Sequence, residues 1–334
     1  MQNKSFTYLV YITIVLFFLA LLSYLIQPRY ETSLKKGEII FDKIQSTLND
    51  INEIIIDNGK KKVSIIKDNE NWYMTSKFNY KIKNEIVRKN LIQISELRYF
   101  EKKTREGFLY SRLDLNFPDN DENKSKFISI IDKNGNSLVE FILGKRKKNG
   151  VYIRKKNDEQ SWLTAGILDM SSIEKDWLET NILNIDFKDV KMISMNHSKK
   201  EQSFSLTKDE KNENFLIENL TKDQLPKSDL IANFLGYLYT NLFFEDVSER
   251  KKFNEDKFLT KIDFELFNDT KISAIIFTEN DIQWINFSLN NESINELKKQ
   301  NIIFVDDINN WSYKLSSTKY NNINTKLKDL LVED

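Results

Sequence analysis

Cysteine is absent from the 334-residue chain, which excludes a disulfide scaffold, thiolate zinc sites, iron–sulfur clusters and thiol catalysis together. A single histidine, His197, excludes any site built on two imidazoles. Proline (3) and glycine (8) are scarce, against collagen-like, Gly-loop-rich or long flexible-linker architectures. Charge of one sign is missing too: 50 Lys and Arg balance 50 Asp and Glu, so bulk charge points to no nucleic-acid partner. What the chain does have is apolar side chain. At 40% hydrophobic and 12% aromatic it can fill a real core, and its length suits about two average domains.

After a short tail, residues 1–4, the stretch 5–28 (SFTYLVYITIVLFFLALLSYLIQP) carries no charge. At 1.5 Å per residue such a helix reaches about 36 Å, more than the hydrocarbon core of a bilayer. Tyr8, Tyr11, Tyr24 and Tyr30 lie towards its ends, where amphipathic rings favour the interface. A cleaved signal peptide would have a shorter apolar run and small residues before the cut, which Tyr24-Leu25-Ile26-Gln27 does not offer. The expectation is an uncleaved single-span anchor. Lys4 before it and Arg29, Lys35 and Lys36 after it give no charge asymmetry. A short tail ahead of a large body is the signal-anchor arrangement, so the amino terminus is placed inside and the bulk outside. Without residues 1–30, which hold Lys4 and Arg29 and no acid, 48 basic residues face 50 acidic ones, a net charge of −2.

Residues 29–50 read as a juxtamembrane connector. Beyond it the chain resembles itself at a spacing of about 140–150 residues, with a first repeat over 51–185 and a second over 186–334. INEIIIDNGKKKVSIIKDNENWYM (51–74) is a strand–turn–strand pattern with turns at Asp57-Asn58-Gly59 and Asp68-Asn69, answered by 190–217. An amphipathic helix follows in each copy. Ile82, Ile86, Leu91, Ile94 and Leu97 form one apolar stripe, and Leu230, Ile231, Phe234, Leu235, Leu238 and Leu242 the other. RLDLNF (112–117) then matches KIDFEL (261–266), KFISIID (126–132) matches KISAIIF (271–277), and SLVEFILG (137–144) matches WINFSL (284–289). Each half closes on a Trp-bearing strand and a helix: SWL with SSIEKDWLE (171–179), and NWSYKL with NNINTKLKDLL (321–331). The fold class is α+β: a single N-terminal transmembrane helix, then two related repeats of antiparallel β-sheet with packed helices.

This arrangement resembles a bacterial family of membrane-anchored proteins, a domain of unknown function often encoded beside gliding-motility-type ABC transporter genes. The resemblance rests on the apolar anchor, the Trp72 strand–turn–strand, LDLNFPD, FILGKRKKNGVYIRKKNDEQSWL and SSIEKDWLETNILNIDFKDVKMISM. It covers most of 50–195 and the second half more loosely. LDLNFP departs from the family's Gly-Leu-Asp-x-Pro form, with Arg112 where that glycine would lie. The resemblance implies an envelope context beside an export or motility apparatus: a bacterial inner-membrane, single-pass protein whose bulk is periplasmic. It carries over no reaction, cofactor or catalytic residue.

The residues themselves offer little chemistry. His197, in Met195-Asn196-His197-Ser198-Lys199, has no patterned nucleophile beside it and reads as a solvated turn residue. Asp119-Asn120-Asp121-Glu122-Asn123 lacks the glycine and closing glutamate of a calcium loop and reads as a solvated loop. Gly144-Lys145-Arg146-Lys147-Lys148-Asn149-Gly150 is no phosphate loop, because a hairpin rather than a helix follows. Lys145, Arg146, Lys147 and Lys148 form a basic hairpin tip able to touch an anionic surface, and Lys60-Lys61-Lys62 is a second such tip. Trp72, Trp162, Trp177, Trp284 and Trp311 read as core rather than carbohydrate platforms.

The sequence therefore predicts a non-enzymatic, membrane-anchored envelope protein without metal or cofactor, held in the inner membrane through residues 5–28. Its expected role is accessory or scaffold component of an ABC-type transport or gliding-motility-like system, touching a permease or another envelope protein. A glycan- or lipid-binding module is the alternative, and a carboxylate-based hydrolase the third reading.

Overall fold

The computed structural model describes residues 2–26, 35–119, 124–209, 213–253 and 258–332. Helix α1 runs Gln2–Ile26, and its described side chains, Phe6 and those from Tyr8 to Leu22, are exposed. Among the described residues no helix is long and apolar enough to cross a membrane. The body starts inside the predicted connector: Ile40 and Phe41, with Ile44 of α2 (Asp42–Thr47), are buried in the core, and Phe41 meets Phe141 at 4.9 Å.

The body is a mixed helix-and-sheet fold built on two large antiparallel sheets. The first takes β1 (Ile51–Asp57), β2 (Lys62–Asp68), β3 (Asn71–Met74), β4 (Tyr80–Lys81), β5 (Arg98–Lys102), β6 (Lys126–Asp132), β7 (Ser137–Lys147), β8 (Gly150–Lys155) and β9 (Ser161–Ala165). Their order is β4-β3-β2-β1-β6-β7-β8-β9-β5. Alternation makes these strands: Ile54 and Ile56 of β1, Val63 and Ile65 of β2 and Ile128 and Ile130 of β6 turn to one face and are buried. Turn chemistry joins them. Asp57 accepts from the Gly59 amide and Asn58 from those of Lys60 and Lys61, while Gly59 sits at φ 81°. Helix α3 (Asn84–Glu96) buries Leu91 and Ile94 as its stripe predicts, but Val87, outside that stripe, is buried where Ile86 is only half-buried.

RLDLNF is not a strand. Gly107–Leu113 is a 3₁₀ segment that covers the opposite face of the first sheet, where Tyr110, Leu115, Ile142, Tyr152 and Leu163 cluster. Its backbone comes so close to Gly144 that a Cβ there would stand 2.3 Å from the Leu113 carbonyl oxygen. A period-two burst therefore served a tight turn against a glycine, and the strand that follows β1 across the sheet is β6.

A short pair, β10 (Asn181–Leu183) with β14 (Leu242–Phe243), links the halves. The second sheet takes β11 (Val190–His197), β12 (Phe204–Thr207), β13 (Leu216–Ile217), β15 (Asp246–Glu249), β16 (Thr260–Leu266), β17 (Lys271–Glu279), β18 (Ile282–Ser288) and β19 (Trp311–Lys314). Its order is β13-β12-β11-β16-β17-β18-β19-β15, with α4 (Asn291–Lys299) inserted between β18 and β19. The buried faces of both sheets join in one contiguous core.

Three helices expected here are replaced. Residues 230–242 form turns and a 3₁₀ segment, Asn233–Tyr237. Burial follows a step of three, through Ala232, Leu235 and Leu238, so Leu230 and Phe234 face outward instead of joining the stripe. Gly236 permits it, since a Cβ there would lie 2.5 Å from the Phe187 ring. SSIEKDWLE holds only the 3₁₀ turn Glu174–Asp176, and the closing helix is two short ones, α5 (Ser317–Ile323) and α6 (Leu327–Leu330).

Candidate functional site

The edge strand β4 is where the first half meets the second. Tyr80 is buried there, edge-on to Phe244 at 5.6 Å and to Trp311 at 4.8 Å. The turn that delivers it is strained: Phe78 and Asn79 are both left-handed, at φ 57° and 59°. A lysine flanks Tyr80 on either side. Lys77 Nζ donates to Asp246 Oδ1 at 2.7 Å and lies 3.3 Å from Glu174 Oε2, while Lys81 Nζ lies 2.7 Å from Asp306 Oδ2. Burial alone would depress the Lys77 ammonium; the hydrogen bond and charge of Asp246, then those of Glu174, outweigh it and hold the group above its ordinary 10.5. Burial would likewise raise the Asp306 carboxyl, but Lys81, with Lys298, brings it below its ordinary 3.8.

Beside this seam opens a cleft of about 630 Å³, lined among others by Asn58, Lys61, Lys77, Ile173, Glu174 and Asp246. A second of about 300 Å³ lies across β4, lined by Tyr73, Tyr80, Lys81, Asp306 and Trp311. The carboxylates facing the larger cleft are in ion pairs, Glu174 and Asp246 with Lys77 and Glu245 with Lys314 at 3.3 Å. Among the described residues no group of three or more His, Asp or Glu could hold a metal ion. Lys77→Met should therefore cost about 1–2 kcal/mol, between the surface and buried limits for an ion pair. Urea unfolding at low and high salt checks it: a loss that salt abolishes would make the seam pair a surface contact.

Lys145, Arg146, Lys147 and Lys148 stand exposed at the β7–β8 hairpin tip, with Lys148 in the left-handed turn position. Arg146 lies 3.3 Å from Asp169 Oδ1. Strand register shows what else shares that end of the sheet. Asp57 pairs both Lys62 and Phe127, Phe127 pairs Ile142, and Lys147 pairs Gly150. Hence the Lys60-Lys61-Lys62 tip, the start of β6 and the 145–148 tip point the same way. Residues 168–175 run across this end, fixed by Ser172 Oγ to Asn58 at 3.1 Å and by the Met170 carbonyl to Lys126 Nζ at 2.6 Å. Burial lowers the Lys126 pKa, against the raising charges of Asp169 and Asp176.

The ion pairs of the seam have no local signature in the sequence, because partners such as Lys77 and Asp246 are 169 positions apart. Trp72, Trp162, Trp177 and Trp284 are buried as expected, whereas Trp311 is half-buried in the seam. Of the acidic loop, residues 120–123 lie outside the described residues.

His197 is the clear correction. It is buried, not solvated: Nε2 lies 2.8 Å from the Thr325 carbonyl oxygen and Nδ1 3.1 Å from Thr260 Oγ1. Its place at the end of β11 puts it under the C-terminal segment rather than in a turn. Burial, only partly offset by the Thr325 hydrogen bond, holds its pKa below the ordinary 6.5. Well above pH 6.5 the ring is neutral in both folded and unfolded chains. As pH falls through 6.5 the unfolded chain takes up the proton first, so unfolding free energy should drop until the folded ring titrates. Chemical denaturation of wild type and His197→Gln between pH 7.5 and 5 should show a histidine-dependent slope that the variant lacks.

A family model described as a domain of unknown function (DUF4340) matches residues 72–257, a span that holds Lys77, Tyr80, the 145–148 tip, Glu174 and Asp246. No curated protein and no solved structure matches the chain.

Proposed function

The chain belongs to the DUF4340 family, and from that footing we propose that it is a non-enzymatic, membrane-anchored envelope protein acting as an accessory or scaffold of an ABC-type transport or gliding-motility-like system. Residues 5–28 are the anchor in a bacterial inner membrane, with the amino terminus inside and the body periplasmic. The uncharged run and the exposed apolar side chains of α1 support this reading.

The body is read as two copies of one unit. Strand order supports it: β4 apart, the first sheet reads β3-β2-β1-β6-β7-β8-β9-β5 and the second β13-β12-β11-β16-β17-β18-β19-β15, the same path ten strands on. On this reading β6 answers β16, not the RLDLNF stretch. The extra strand β4 is the one that makes the seam. The observation that carries the scaffold role is this weld: two sheets, one contiguous core, and the ion pairs Lys77–Asp246 and Lys81–Asp306 between the halves. A body so joined presents a wide fixed surface, and the anchor raises its local concentration near a membrane partner.

Two measurements test the proposal. The full-length protein should remain in the membrane fraction through alkaline carbonate extraction; release would remove the anchor. Crosslinking in native membranes, then mild-detergent purification and mass spectrometry, should recover a stoichiometric permease or ATPase. Recovery of the protein alone, crosslinked or not, would overturn the scaffold role in favour of a glycan- or lipid-binding module.

A further inference from the structure

The 145–148 tip does not stand by itself. With the 60–62 tip and the 168–175 segment it makes one end of the first sheet, and the charges at that end are unevenly matched. Of its described acids, Glu174 and Asp246 are paired with Lys77 and Asp169 with Arg146 and Lys89, while Asp57 accepts from the Gly59 amide and Asp176 from Ser171. Lys61, Lys62, Lys145, Lys147, Lys148 and Lys175 are exposed and, among the described residues, form no ion pair. Amid them stand two apolar side chains that the core does not take, Ile173 at 62% exposure and Phe78 at 50%.

We infer that this end of the first sheet docks onto an anionic bilayer surface, the lysines meeting lipid headgroups and Ile173 and Phe78 entering the interface. Two separate apolar side chains beside lysines are poorly suited to a folded protein partner, whose interface core would need a wider apolar patch. Polybasic segments beside a membrane contribute about fivefold in binding per lysine. The inference rests on the anchor reading: the eight residues between Ile26 and Lys35 can span at most about 30 Å, which keeps the body within reach of the membrane. One weak membrane contact becomes lasting when a second signal holds the protein there.

Because the chain has no cysteine, an environment-sensitive dye can be placed at Ile173→Cys in the otherwise unaltered full-length protein, reconstituted into liposomes. In phosphatidylglycerol-containing liposomes the dye should shift to the blue and be quenched by a lipid-borne quencher; in pure phosphatidylcholine it should stay water-exposed. Changing Lys145, Lys147 and Lys148 to Glu should shift the docked population at least about 100-fold towards the undocked form. Circular dichroism of each variant checks that it is folded. The same spectrum in both lipids, or one unmoved by the charge reversal, overturns the inference. A dye that responds only when acidic membrane proteins are co-reconstituted also overturns it, in favour of a protein partner. Failure of the protein to resist carbonate extraction is read separately and strikes the anchor, not the docking face.

Discussion

Replacing Tyr80 with alanine is expected to lower the unfolding free energy by about 3–5 kcal/mol, the usual cost of deleting a buried aromatic side chain. The ring is only 3% exposed and stands edge-on to two partners from the second half, Phe244 at 86° and Trp311 at 78°. Each such pair adds about 0.5–1.5 kcal/mol beyond the area buried. The strand that carries it is short, pairing β3 through Tyr73 with Lys81 and Met74 with Tyr80 and through the Ile82 amide to the Trp72 carbonyl. Packing against the second half adds to this short ladder in holding β4 in place. The hydroxyl contributes little: Tyr80 Oη donates to the Glu179 carbonyl at 3.3 Å, and burial pushes its pKa well above the usual phenol range. Tyr80→Phe should then cost under about 1 kcal/mol. Urea unfolding of the full-length protein in micelles separates the two variants. If both prove equally mild, the halves are held by something other than this aromatic contact.

Contacts of the seam are long-range, and the local elements around it differ in how far the sequence encodes them. Strands β1, β2, β3, β6 and β7 and their turns were legible, because period-two burial and Asx–Gly turn chemistry are encoded within a few residues of one another. So was the helix at 84–96, whose apolar residues recur at steps of three and four. The segment 230–242 was not, although its composition is as apolar. Ala232, Leu235 and Leu238 also fit a strict step of three, and Gly236 lets the Phe187 and Phe215 rings approach where a helix would need a side chain. A stripe cannot by itself separate a helix from a tighter turn packed against rings that come from elsewhere. The strands of the second half were found but matched one place out, because RLDLNF alternates like a strand while serving as a cover over Gly144. His197 misled for a related reason: its polar neighbours Asn196 and Ser198 are local, whereas Thr260 and Thr325, which bury it, are more than sixty positions away. The basic tip at 145–148 was legible as a tip. That Lys61, Ile173 and Lys175 share its end of the sheet required the register.

Trp177→Ala should match Tyr80→Ala in cost, about 3–5 kcal/mol, and should do more to the candidate docking face. The indole is 1% exposed, and its Nε1 donates to the Ser171 carbonyl at 2.9 Å, closing the chain 171–177 into a loop around the ring. Ser171 Oγ braces the same loop through Asp176 and the Ile173 amide. The Trp177 carbonyl in turn accepts from the Lys83 amide at 2.9 Å, beside the Ile82–Leu178 bridge. One side chain thus fixes Glu174, which pairs with Lys77, and the exposed Ile173 and Lys175 that flank it. Trp177→Phe keeps most of the packing and gives up one hydrogen bond of about 1 kcal/mol, so it should retain both the seam and the membrane response of a dye at Ile173→Cys. Trp177→Ala, read under conditions where it is still folded, should lose that response while the lysines of the 145–148 tip remain in place. A folded Trp177→Ala that responds to anionic lipid as the wild type does would show that the lysines act without the loop. That result would leave the buried indole a packing role alone.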